Sequence, residues 1–292
     1  LGLWMPYLRQ ASIGVERTLV ETLRLMASYT MMRGRNQLRA VNVNAPITGG
    51  LDPIRPDPLL GNITELESTG RTEVDRLTIN VNYSRPERRF FMGGNYQLAR
   101  SNNFSDSAFA LPANNYDLGG EWGPALQDVR HRFFGTVNFG VPLGMRLGVF
   151  TQGQSAAPYN VITGFDSNRD TVVNDRPPGV RRNAARGSAG WNLNARLSKA
   201  YGFGPQRQVT GAPPVRRAGG GGRGRGEGGG PMMMMMEGSN SRYRLEFYVQ
   251  AFNILNRTNL VSYSGNMRSD YFGQATSAGP ARRIELGMNF GF

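Results

Sequence analysis

The sequence contains no cysteine, one histidine (His131) and one lysine (Lys199) in 292 residues. Without cysteine there is no disulfide framework and no thiolate metal site. With a single histidine, a multi-histidine metal centre is not available. No run of about 18 apolar residues occurs, which excludes a transmembrane helix but leaves open membrane strands of roughly 9–11 residues. No glycine-rich loop links a strand to a helix, so nucleotide binding has no support. Acidic pairs lack an ordered partner pattern. An enzyme is therefore not expected, nor is a resident cofactor. Leu1 is not an initiator methionine, and no basic-then-apolar leader follows it. The expectation is a processed or partial chain.

Charge is also one-sided. The net charge of +13 comes almost wholly from arginine. The arginines are spread along the chain rather than gathered on one element, which suits a polar lumen and membrane rims better than a nucleic-acid footprint. No nucleic-acid partner is expected.

What the sequence does have is period-two alternation. At its end Ile284, Leu286, Met288, Phe290 and Phe292 share one phase, and Arg283, Glu285, Gly287, Asn289 and Gly291 the other. Alternate side chains of a strand point to opposite faces. The pattern recurs with Leu23, Leu25, Ala27, Tyr29 and Met31, with Leu77, Ile79, Val81 and Tyr83, and with Phe90, Met92, Tyr96 and Leu98 on the apolar phase. It returns around Phe133–Phe139, Met145–Val149, Trp191–Leu197 and Tyr243–Val249, and more weakly near Ser12–Leu19. That predicts about nine strands. Asn, Gln, Arg, Gly and Ser dominate the second phase, as a wet interior would require.

Connections sort by length. Val20–Thr22, Ser84–Arg89 and Val141–Gly144 are tight turns. Asn36–Thr72, Ser101–Val129, Ala156–Gly190 and Ile254–Gly279 are long loops. Outer-membrane barrels have short periplasmic turns and long external loops. The exception is Arg207–Asn240, with Pro213-Pro214, Arg-Gly repeats and five methionines from Met232. Its composition predicts a disordered insertion on the periplasmic side.

The predicted fold class is therefore all-β: an antiparallel up-and-down transmembrane β-barrel. Nine strands are an odd number, and an open sheet would leave bare edges in lipid. Residues 1–292 must then be the C-terminal part of a larger barrel or close with another copy, and the first is the expectation.

Specific residues carry a family resemblance. Arg244-Leu245-Glu246-Phe247-Tyr248-Val249-Gln250-Ala251-Phe252-Asn253-Ile254-Leu255-Asn256-Arg257-Thr258-Asn259, with Phe272-Gly273 and Gly279–Gly287, resembles the penultimate and final strands of TonB-dependent outer-membrane receptors. Asp166–Asp170, Asn174-Asp175-Arg176-Pro177, Arg182-Asn183 and Asp128–Phe133 resemble Oar-like members. The resemblance implies the C-terminal part of such a barrel, in the bacterial outer membrane. It also implies uptake of a large substrate powered by a TonB-type complex acting through an N-terminal region, and insertion by the barrel-assembly machinery. The transported substrate cannot be read. The alternative is a non-transporting surface β-protein that binds matrix or cells through its long loops.

Candidate lumen residues, taken from the polar phase, are Arg76, Asn80, Asn82, Arg132, Asn138, Arg146, Asn192, Asn194, Arg196, Arg244, Glu246 and Gln250. Asp166, Asn168 and Asp170, with Asp175 nearby, are a candidate calcium set. Thr171 and Pro177 depart from the EF-hand pattern, which would place Gly and Glu there, so a solvated Asx-turn loop is the competing expectation. Tyr29, Tyr83, Phe90, Tyr96, Phe139, Trp191, Tyr201, Tyr243, Phe290 and Phe292 are expected to form interfacial girdles. By the resemblance, Phe292 is also a candidate assembly signal.

Overall fold

A computed structural model describes residues 2–47, 54–206 and 241–292. In chain order the strands are β1 (Tyr7–Val20), β2 (Leu23–Asn42), β3 (Thr64–Arg85), β4 (Phe90–Asn103), β5 (Gly123–Pro124), β6 (His131–Val141) and β7 (Met145–Gln154). They continue as β8 (Pro158–Tyr159), β9 (Ala185–Arg186), β10 (Gly190–Gln206), β11 (Ser241–Phe252), β12 (Leu260–Tyr263), β13 (Ala275–Ala278) and β14 (Arg283–Gly291). One antiparallel sheet runs β1-β2-β3-β4-β6-β7-β10-β11-β14, and β5 pairs with the upper end of β4. Every long strand lies beside its sequence neighbour, the meander of an up-and-down wall. The nine strands read from alternation are the nine of this path.

The tight turns gather at one end of the wall. Residues 21–22 join β1 to β2, and two short 3-10 turns, Pro86–Arg88 and Pro142–Gly144, join β3 to β4 and β6 to β7. Proline opens each 3-10 turn, where its fixed φ fits and its missing N–H has no consequence. Arg89 and Leu143 adopt left-handed backbone to reverse the chain. The predicted insertion 207–240 lies outside the described residues.

The long loops gather at the opposite end and are more structured than the sequence suggests. β2 and β3 run on to Asn42 and back from Thr64, well into what reads as a loop over residues 36–72. The reason is physical. Beyond Met31 no apolar phase is required, so the strands continue as pairs such as Arg39↔Glu67, and alternation loses its signal. A break in register between Gly34 and Arg39, with Asn36 at φ 55°, bends this extension. The loop after β7 carries the β8–β9 hairpin, and the loop after β11 carries the β12–β13 hairpin.

Burial is inverted relative to a water-soluble domain. Among the described residues the buried aliphatic side chains are small: Ala40, Val41, Ala45, Ala113, Ala125 and Val129. The largest fully buried side chains are Asn42, Asn44, Asn183, Asp128 and Asp170, all in or beside the long loops. Meanwhile Leu286 is 79 % and Ile13 72 % exposed. An aliphatic outer face bare of protein is what a lipid-facing wall presents.

Candidate functional site

Cross-strand register assigns the faces, because paired residues share a side. One row runs Asn80↔Asn95↔Phe134↔Gln152↔Asn192 across β3, β4, β6, β7 and β10. The next runs Thr78↔Gln97↔Arg132↔Gln154↔Gly190. All twelve predicted lumen residues lie on this same face. Lower on it, Arg196 pairs with Glu246 at 3.4 Å and stacks 3.7 Å from the Tyr248 ring centroid. Arg244 reaches Glu246 at 3.9 Å. Asn95 donates to Asn80 at 2.7 Å, and Asn194 accepts from the Asn253 backbone at 2.8 Å. Asn138 donates to Thr136 at 3.3 Å. Arg76, Asn82 and Arg146 take up the phase expected of them.

The predicted girdle aromatics all fall on the opposite face. Near the turn end, Tyr83 meets Phe90 at 5.7 Å, Phe203 stacks on Tyr243 at 5.6 Å, and Tyr243 on Phe290 at 6.1 Å. Near the loop end sit Tyr29, Tyr96 and Trp191. Tyr96 shares a 2.7 Å hydrogen bond with His131 Nδ1, and the Trp191 indole donates to Thr151 at 2.6 Å. The single histidine is thus an exposed rim residue. Phe292 is 86 % exposed on the same face, 6.3 Å from Phe290 between ring centroids.

Two constructions at the loop end were not foreseen. The first is a buried polar cap. Arg182 donates to Asp106 and to both the backbone and side chain of Asn103. Arg176 pairs with Glu121, which is 4 % exposed, and Arg186 pairs with Asp128. Asn183 donates to Asp106 at 2.8 Å and to the Pro124 carbonyl at 2.9 Å. Each link ties the loop after β7 to the end of β4 or to the segment between β4 and β6. Burial depresses the basicity of the Arg182 guanidinium, while the Asp106 and Glu121 charges oppose that shift.

The second is a cleft of about 690 Å³ between the inner face and the two loop hairpins. Its wall is the part of the two rows above that runs from β4 to β10, and its roof includes Tyr159 of β8 and Tyr263 of β12, stacked at 5.6 Å and 19°. Asn259 pins the roof to β10 by donating to Asn192 at 2.9 Å and accepting from the Trp191 backbone at 2.8 Å. The doubled aromatic Phe133-Phe134 was the available signal: consecutive rings must face opposite sides, so one of them enters the lumen.

Asp166, Asn168, Asp170 and Asp175 do come together. Asp166 accepts from the Asp170 and Thr171 backbones at 3.0 and 2.8 Å, and Asn168 accepts from the Asp170 backbone at 3.0 Å. Asp175 accepts from the Ser167 backbone at 2.6 Å, and Asp170 from Val172 at 2.8 Å. Asp170 is fully buried. Burial raises its pKa, with the Asp166 and Asp175 charges adding to the shift and hydrogen bonds from Val172 and Asn168 opposing it. Among the described residues no group of three or more acidic or histidine side chains converges as a metal-binding set.

The family model for the outer membrane beta barrel domain matches residues 3–285. This chain belongs to that family. Its place is the bacterial outer membrane, which makes the loop end external and the turn end periplasmic. Solved structures carry the fold further. The outer membrane transporter YddB from Escherichia coli superposes with TM-score 0.56 at 12 % identity, over 98 % of this chain and 32 % of that one. The ferric-catecholate import receptor Fiu from Escherichia coli K12 gives 0.51 at 12 % identity, over 97 % and 27 %. The iron transporter FrpB from Neisseria meningitidis gives 0.50 at 11 %, over 98 % and 31 %. The resemblance to TonB-dependent outer-membrane transporters read from the C-terminal strands is thus met by the fold. This barrel chain spans about a third of the length of the transporters it matches. No curated protein matches it in sequence.

Proposed function

We propose that this wall belongs to a TonB-energised transporter that takes up a large substrate across the outer membrane and recognises it at the external end. The observation that carries this reading is the inward fold of the external loops. The hairpins β8–β9 and β12–β13 lean over a polar inner wall and leave a cleft there, where a lumen ligand would first be held. A surface protein binding matrix or cells would instead present its loop tips outward. The TonB-type complex would act through a region outside this chain. The test is uptake by cells carrying the full-length receptor, with and without the energising complex. Loss of uptake on removing that complex supports the reading; unchanged ligand accumulation sinks it.

Calcium at Asp166, Asn168 and Asp170 keeps the standing of a proposal. A cation would have to take carboxylate oxygens now held by backbone N–H groups. Calcium titration against protease cleavage of residues 155–189 tests it: added protection, lost in Asp166→Asn, supports binding, and none refutes it.

A further inference from the structure

The cleft has a chemistry of its own. Across its wall Gln152 and Gln154 of β7 and Arg132 of β6 stand on adjacent rows. Among the described residues no hydrogen-bond or ion-pair partner reaches these three side chains, whereas the flanking Asn95 and Asn192 are paired. Adjacent strands lie about 4.8 Å apart, and same-face neighbours on one strand about 7 Å apart. The two unclaimed amides therefore stand about 7 Å apart along β7, each offering donors and an acceptor, with Arg132 on the next strand. Beside Gln152 on that strand lies Phe134, 41 % exposed although on the inner face, and held edge-on by Phe150 at 4.6 Å. Tyr159 and Tyr263 add two more rings from the roof. Among the described residues no carboxylate and no lysine lines the cleft, and Arg132 is the one charged side chain there.

We infer that this cleft binds an oligosaccharide, its hydroxyls bridged by Gln152 and Gln154 and a sugar ring laid on Phe134, with Arg132 receiving an acidic substituent where one is present. Hydroxyl groups both donate and accept, as amides do, so each side chain is satisfied by a vicinal pair. The C–H face of a pyranose is apolar and suits an aromatic ring. A highly anionic ligand such as a ferric catecholate complex would need several cations, and one guanidinium does not supply them.

This inference rests on the transport reading for its biological sense but is tested without it. The full-length receptor, purified in detergent, is exposed to an array of neutral and uronate-containing oligosaccharides, to a peptide library and to a ferric catecholate. Binding of a set of oligosaccharides is expected. Phe134→Ala and Gln152→Leu should each weaken it about tenfold, and Arg132→Gln should weaken only the uronate-containing members. A heat-dependent shift in gel mobility equal to that of the unaltered receptor verifies that each variant keeps its barrel. Binding only of peptides or of the ferric complex, binding of nothing, or glycan binding indifferent to Phe134 and Gln152 would each overturn it. Glycan binding without energised uptake would sink the transport reading alone.

Discussion

Arg182 and Asp106 stand 76 residues apart in sequence and form a largely buried ion pair. The Arg182 side chain is 8 % exposed and that of Asp106 20 %. The pair welds two external loops that the β-sheet itself does not connect. Removing one partner of a buried pair strands the other charge, at about 3–5 kcal/mol. Arg182→Met should therefore release the loop cap while leaving the wall intact. Limited proteolysis of intact cells is expected to cut within residues 104–130 and 155–189 at least tenfold faster, with heat-modifiable gel mobility unchanged.

Ile79 and Asn80 are consecutive on β3 and face opposite sides of the wall. Arginine on the lipid face near the midplane costs about 2–4 kcal/mol, whereas lumen substitutions are tolerated. Ile79 lies opposite Tyr96, between midplane and rim, so Ile79→Arg should lower the folding free energy in lipid by about 1–3 kcal/mol, and Asn80→Arg by less. Equilibrium unfolding of the full-length protein in vesicles checks the pair. Equal effects would mean that the faces are assigned wrongly.

Asp170 predicts a pH response of the external cap. Its pKa is raised in the folded loop, chiefly by burial, so the folded cap binds the proton more tightly than the open one does. Stability from this group is full below the ordinary aspartate value and is lost as pH rises through the raised value. Amide exchange at Val172, whose N–H bonds Asp170, should be better protected at mildly acidic than at neutral pH after correction for intrinsic exchange. Asp170→Asn should flatten that dependence.

Phe292 makes a last prediction. It projects into the lipid-facing aromatic cluster with Phe290, and we propose that the barrel-assembly machinery reads it. Deleting it should cut the amount of receptor in the outer membrane several-fold. Phe292→Tyr should restore most of it, because the ring is kept. Equal surface levels of the deletion and the intact protein would refute the role.

The wall was legible because lipid imposes a strict rule on it. From Leu23 to Met31, or Ile284 to Phe292, every second side chain must be apolar, and a reader needs only that period. Once β2 and β3 rise past Met31 the rule lapses, and β2 from Asn36 to Asn42 and β3 from Thr64 to Thr72 read as loop. The inner-face candidates followed from the same phase, but Phe134 did not, because an aromatic beside Phe133 is easily taken for more of the lipid face. The cap was hidden for a different reason. Asp106, Glu121, Asp128, Arg176, Arg182 and Arg186 look like ordinary solvated loop residues, and their pairing depends on distant segments that the meander brings together.

The small, polar interior of that cap has a calorimetric consequence. Heat capacity rises when apolar groups meet water on unfolding and falls when polar groups do. Opening a unit whose buried side chains are mostly polar, with small apolar ones such as Ala113, Ala125 and Val129 between them, should therefore give a smaller heat-capacity change than opening an apolar core of equal size. The free energy of the cap would then follow temperature along a flatter curve than that of an apolar core, so cooling would loosen these external loops less.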